Sequence, residues 1–129
     1  MKMRNIILLA LATGTLASCT DDQPGRQPAP SPAAKVVGAA ESCISLNQLR
    51  ETRIRDDWTI DFMGNGGKVW RNTLTSRCPG LSSNNGITYE TSLTQLCDVD
   101  IVYILERTPN LHRGPACSLG KFVPVKLER

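Results

Sequence analysis

From Glu51 to Met63 the apolar residues Ile54, Trp58, Ile60 and Phe62 fall on even positions, and the charged residues Glu51, Arg53, Arg55, Asp57 and Asp61 fall on odd ones. A period of two marks a strand with one buried face, because successive side chains of a strand point to opposite sides. Asp56-Asp57 has the chemistry of a turn inside this run. Ile54 and Ile60 can share a core only if the loop between them has an odd number of residues, since a slip of one flips a strand. That register sets Ile54 opposite Ile60 and Arg53 opposite Asp61. The next turn, Asn65-Gly66-Gly67, is a strong hairpin signal. Read as a three-residue loop with a left-handed glycine, it sets Phe62 opposite Trp70, Trp58 opposite Leu74 and Asp61 opposite Arg71. A two-residue loop at Asn65-Gly66 would instead bring Arg71 against Ile60 on the core side, so the first register is preferred.

Further on, Ile87 to Thr91 reads as a fourth strand, and Ser92 to Leu96 as one helical turn capped by Ser92. Val99 to Leu105 is apolar on both faces, as a central strand would be. Leu119 to Leu127 makes the last strand, with Pro124 placing part of it at a sheet edge. The expected fold is mostly β, with a small α+β arrangement as the variant: five or six short antiparallel strands in a small barrel or rolled sheet, one or two helical turns, and two disulfides.

The first residues divide differently. Lys2 and Arg4 precede the uncharged apolar stretch Ile6 to Ala17, which is shorter than the roughly 20 residues of a membrane-spanning helix and fits a secretory signal. It ends on Leu16-Ala17-Ser18-Cys19, which resembles the lipobox of bacterial lipoproteins. There the cysteine is acylated and the chain is cut before it. Residues 1–18 are therefore expected to be a signal peptide, and Cys19 the lipidated residue. Thr20 stands where an Asp would retain the protein at the inner membrane under the Gram-negative sorting rule. That favours the periplasmic face of the outer membrane. Residues 19–42, with Pro24, Pro28, Pro30 and Pro32 among Ala, Ser and Gly, read as an extended tether, leaving 43–129 as the folded domain.

Lys2, Arg4, Arg26 and Lys35 lie outside residues 41–129, which takes the 15 basic residues down to 11, and Asp21 and Asp22 take the 12 acidic ones down to 10. Such a near-neutral domain is not built for nucleic acid. It contains Cys43, Cys78, Cys97 and Cys117, an even number, expected as two disulfides in an exported domain. No close Cys pair of the kind that binds structural zinc is present. Of the three possible connectivities, Cys78–Cys97 and Cys43–Cys117 are preferred, the first closing a Gly/Asn-rich excursion and the second joining the ends of the domain.

The strand register makes Arg53, Asp61 and Arg71 a candidate polar platform that could present arginines to a phosphate or carboxylate. The plainer reading is an exposed cross-strand ion-pair ladder, in which losing Asp61 costs no more than about 1 kcal/mol. Asp56-Asp57 and Asp98 with Asp100 fall short of the six to eight oxygens calcium takes, so no metal or other cofactor is expected. His112, the single histidine, lies in a Pro/Gly-rich loop with no nucleophile motif, and no catalytic residue is assigned.

Cys43-Ile44, Arg50 to Phe62, Arg71-Asn72-Thr73-Leu74, Cys78-Pro79-Gly80-Leu81 and Cys117 to Val125 together resemble a family of small Gram-negative envelope lipoproteins, classed as a domain of unknown function. The resemblance covers residues 43–125. It implies an envelope location and a shared fold, and it brings no activity. The chain is thus expected to be a binding or structural module of the envelope, held to the membrane by its lipid and able to take an envelope protein as partner. The alternatives are a small periplasmic hydrolase, or an inhibitor or accessory subunit of an envelope protein.

Overall fold

A computed structural model describes residues 29–30, 32–91 and 93–129; Cys19 and the signal segment lie outside them. The described chain is mostly β and antiparallel, with one short helix and two disulfides. Among the described residues the strands number ten, where five or six are expected, and they lie in three sheets where a small barrel or rolled sheet is expected. Strands β1 (Ala34–Val36), β3 (Leu49–Ile54), β4 (Thr59–Gly64), β5 (Val69–Thr73) and β10 (Phe122–Leu127) make a five-stranded sheet in the order β1-β10-β5-β4-β3. Strands β6 (Ile87–Tyr89), β8 (Ile101–Glu106) and β9 (His112–Ser118) make a second, with β8 in the middle. Strands β2 (Cys43–Ser45) and β7 (Gln95–Cys97) make a pair of their own. Helix α1 (Leu81–Asn84) is a single turn after β5.

The parity argument holds along β3–β4–β5. Ile54 pairs with Ile60 and Arg53 with Asp61 across β3–β4, while Asp61 pairs with Arg71 and Phe62 with Trp70 across β4–β5. The turn between β4 and β5 carries Gly66 and Gly67 at φ of 67° and 78°, the left-handed region that glycine enters without steric cost.

Alternate residues of these strands, Ile60, Phe62, Trp70 and Phe122, are buried in one core with Leu81, Leu96, Val102, Ile104 and Leu119 from the other elements. Phe62 and Phe122 meet edge to face with ring centres 5.3 Å apart, the arrangement that ring quadrupoles favour. At the end of β5, buried Asn72 acts as a substitute for a neighbouring strand: its Nδ2 donates to the Gly120 carbonyl at 2.7 Å, and its Oδ1 accepts from the Gly120 N–H at 2.9 Å. Residue 120 must be glycine, because a Cβ there would sit 2.2 Å from the Thr73 carbonyl oxygen.

Several local expectations are corrected. The disulfides are Cys43–Cys97 and Cys78–Cys117, not Cys78–Cys97 and Cys43–Cys117. Cys43 and Cys97 lie directly opposite each other on β2 and β7, with the buried pair Ile44 and Leu96 beside them. Gln95 and Leu96, the end of the helical turn expected over Ser92 to Leu96, belong instead to strand β7, because Leu96 is needed on the core side; Ser92 falls outside the described residues. The helical turn forms at Leu81–Asn84 instead. Residues 34–36, read as tether, form β1 and pair with β10 from Ala34–Leu127 to Val36–Val125. Pro124 therefore lies in an interior strand and not at an edge. The ladder adapts to it: Val37 N–H donates to the Pro124 carbonyl at 2.9 Å, and regular pairing stops there, where proline has no N–H to return.

Peptide mapping under non-reducing conditions should recover Cys43 linked to Cys97 and Cys78 linked to Cys117; any other pairing overturns the arrangement of β2 and β7. In denaturant titrations Phe62→Ala should cost about 3–5 kcal/mol, as large-to-small changes in a packed core do.

Candidate functional site

Asp61, at the middle of β4, is completely buried on the sheet face opposite the aromatic core. It was expected to point into solvent, and this is the main correction to the sequence reading of the site. Strand alternation did set its side correctly, away from Phe62. What alternation does not reveal is that this side is covered. A lone carboxylate in such a place would be expensive to keep ionised, and the structure meets that cost with two guanidinium groups. Arg71 grips it with a fork: Nε donates to Oδ1 at 2.8 Å and Nη2 to Oδ2 at 2.9 Å. Arg55 Nε donates to Oδ2 at 2.7 Å. The fork is the geometry in which arginine–carboxylate pairs are strongest.

Arg53 does not join this cluster. Its backbone stands opposite Asp61 in the ladder, but its side chain is about half exposed and pairs with Glu51 on the same strand. Arg55, two residues further and so on the same face by parity, takes its place. It can reach back because the chain is already turning, with Arg55 N–H donating to the Thr59 carbonyl at 2.9 Å. The signal for Arg55 was thus present in the alternation, which puts it on the same odd positions as Arg53 and Asp61.

The segment before β1 supplies part of the cover. Arg71 Nη2 also donates to the Pro32 carbonyl at 2.8 Å, so the chain approaching β1 crosses the outer face over the ion cluster. Nε and Nη2 of Arg71 are directed at Asp61 and this carbonyl, which makes the cluster an internal tie between β4, β5 and the incoming chain. It is not an open platform for an acidic ligand. Beside it opens a cleft of about 1170 Å³ whose cations are Arg53, Arg55, Lys68, Lys126 and Arg129, with Glu41 and Glu128 as the acidic members.

The remaining polar candidates fall into turns and surfaces. Asp56 Oδ1 accepts from the Trp58 N–H at 2.7 Å, closing the turn that the Asp-Asp pair suggested. Asp57 anchors α1, accepting from the Ser82 N–H and hydroxyl at 3.0 and 2.7 Å. Burial pushes its carboxyl up, but these bonds and the neighbouring Arg77 outweigh that and hold it below the usual carboxylate value. Asp100 accepts from the Cys97 N–H at 2.7 Å, and Asp98 pairs with Lys121. Among the described residues no three His, Cys, Asp or Glu side chains gather as metal ligands would.

His112 opens β9 on the surface, with Nδ1 2.6 Å from the Asn110 carbonyl and Nε2 2.8 Å from Glu106. The Asn110 contact first, and Glu106 with it, raise its pKa above the ordinary histidine value. A raised pKa means that this local tie is fully present below the ordinary value and is lost as the pH rises through the folded-state value.

Two measurements check the site. Asp61→Ala should destabilise by about 3–5 kcal/mol in denaturant, because it leaves two arginines facing a partly buried gap, whereas Arg53→Ala should stay within about 1 kcal/mol. An Asp61 variant as stable as the parent would mean that the cluster is not the tie described. By NMR titration His112 should protonate above the ordinary histidine value and shift down in Glu106→Gln.

No family model, curated protein or solved structure matches the chain.

Proposed function

We propose that the chain is a lipid-anchored module of the bacterial envelope on the periplasmic face of the outer membrane, working by binding or by structural support. One observation carries this reading. Of five cysteines in the chain, four are consumed in two disulfides, and the one left over is Cys19, at the end of the apolar stretch in Leu16-Ala17-Ser18-Cys19. Disulfides persist in oxidising compartments outside the cytosol, which agrees with an export signal. Thr20 supports the outer membrane over the inner, and the resemblance to small Gram-negative envelope lipoproteins points the same way. A binding or structural role fits the polar side chains described: the ion cluster at Asp61 is turned inward on its own partners, and the single histidine is engaged on the surface by Asn110 and Glu106.

Mass spectrometry of the mature N-terminus tests the anchor. Cys19 should be the first residue and carry acyl chains. Cys19→Ser should abolish acylation and leave either unprocessed precursor or soluble protein. Cleavage elsewhere without lipid sinks the reading, and a clean inner-membrane location on fractionation removes the argument from Thr20.

A further inference from the structure

Strand β1 presents an unusual edge. Lys35 stands directly opposite Lys126 in the β1–β10 ladder, and like charges in directly opposed positions destabilise an antiparallel pair. Both side chains are exposed, and among the described residues neither forms an ion pair. By strand alternation Val37, 59% exposed, lies on the side of Lys35 and Lys126, while Val36, 62% exposed, points to the other side with Val125. Lysine commonly guards a sheet edge against other chains, so this pair beside exposed Val37 is a tolerable edge in water. It is a good one for an interface that is apolar within and anionic at its border, where aliphatic stems lie down and ammonium groups reach the phosphates.

Position along the chain names the occupant. Cys19 lies ten residues before Ala29, a span of at most about 35 Å even if fully extended. From Ala29 the chain leads directly into β1 at Ala34. No other strand of the described fold follows the anchor so closely. The adjoining cleft adds Lys68 and Arg129 to Lys126, against Glu41 and Glu128, while its Arg53 and Arg55 are already paired with Glu51 and Asp61; with Lys35 the surroundings of the edge carry a small excess of positive charge.

We infer that the surface along edge strand β1 and its neighbour β10, with Lys35, Lys126 and Val37, is a membrane-contact surface that lies against anionic phospholipid headgroups of the bilayer holding the lipid anchor. This rests on the anchored reading above and adds an orientation to it: the domain is laid down on the membrane rather than swung freely from its tether. Each basic residue near an anionic bilayer surface favours contact by about fivefold.

The test uses the acylated mature chain in vesicles of phosphatidylcholine alone or in equimolar mixture with phosphatidylglycerol. Lysine acetylation is read residue by residue by mass spectrometry. Lys35 and Lys126 should be protected roughly fivefold on the anionic vesicles relative to the neutral ones, while Lys121, occupied by Ser42 and Asp98, changes little. In an unacylated chain beginning at Thr20, which contains every described strand and both disulfides, Lys35→Gln with Lys126→Gln should weaken sedimentation with the anionic vesicles by roughly 30-fold. Equal acetylation in both vesicles overturns the inference even if Cys19 is acylated. Protection by inorganic phosphate without vesicles also overturns it, since the pair would then be a site for a free anion. If Cys19 proves unacylated, the anchored reading falls. Charge-dependent sedimentation of the chain from Thr20 would then still support the surface, and its absence would defeat it.

Discussion

Two covalent ties set the conditions under which everything else in this fold can hold. The β2–β7 pair consists of two three-residue strands joined across a sequence separation of 54. Two strands alone are marginal in water, and the Cys43–Cys97 bond lies at their meeting point. The second bond, across a separation of 39, joins the loop after β5 to β9 and so links the large sheet to the three-stranded one. In the chain-entropy model loops of this size correspond to about 4 kcal/mol each, less where loops overlap. That is comparable with the net stability of a small domain. The shared core of Trp70, Phe62, Phe122 and Leu96 can be assembled from three separate small sheets because these ties limit how far the sheets can stray in the unfolded chain.

The opposite faces of the large sheet solve different problems. One buries aromatic rings, where area removed from water provides the gain. The other buries a carboxylate, where the gain depends on geometry, since two guanidinium groups must replace the water that Asp61 would otherwise bind. Arg71 is the hinge of that arrangement, reaching both Asp61 and the carbonyl of Pro32. Through it, the path of the chain before β1 and the interior of β4–β5 are set together.

Period-two alternation and turn chemistry were enough to read the register of β3, β4 and β5 from the sequence, residue against residue, because a strand slip would have put arginine against isoleucine. The cover over Asp61 was not legible. It comes from a Pro/Ala-rich segment with no apolar periodicity, whose contribution is a backbone carbonyl. The strand β1 was hidden for the same reason: its three residues pair by backbone and leave valine exposed, so hydropathy gives no sign of them. The cysteine pairing failed on a different point. The Gly/Asn-rich excursion between them favoured Cys78 with Cys97, whereas the alternation of Cys43-Ile44-Ser45 against Gln95-Leu96-Cys97 is what places two thiols face to face.

The order of strands in the large sheet also governs when it can form. Strand β10, the latest in the described chain, lies inside the sheet between β1 and β5, the first and fourth of its strands in sequence. A growing chain can pair β3, β4 and β5 as local hairpins, but β1 has no neighbour until residues 122–127 have been made. Until then β5 keeps an open edge, and Asn72 waits for a glycine 48 residues away. Such non-local closure is slow compared with hairpin formation and prolongs the exposure of unpaired edges. Chains stalled or truncated before residue 122 would therefore present a sheet edge ready to pair with other chains, making incomplete synthesis the point at which this fold is most exposed to aggregation.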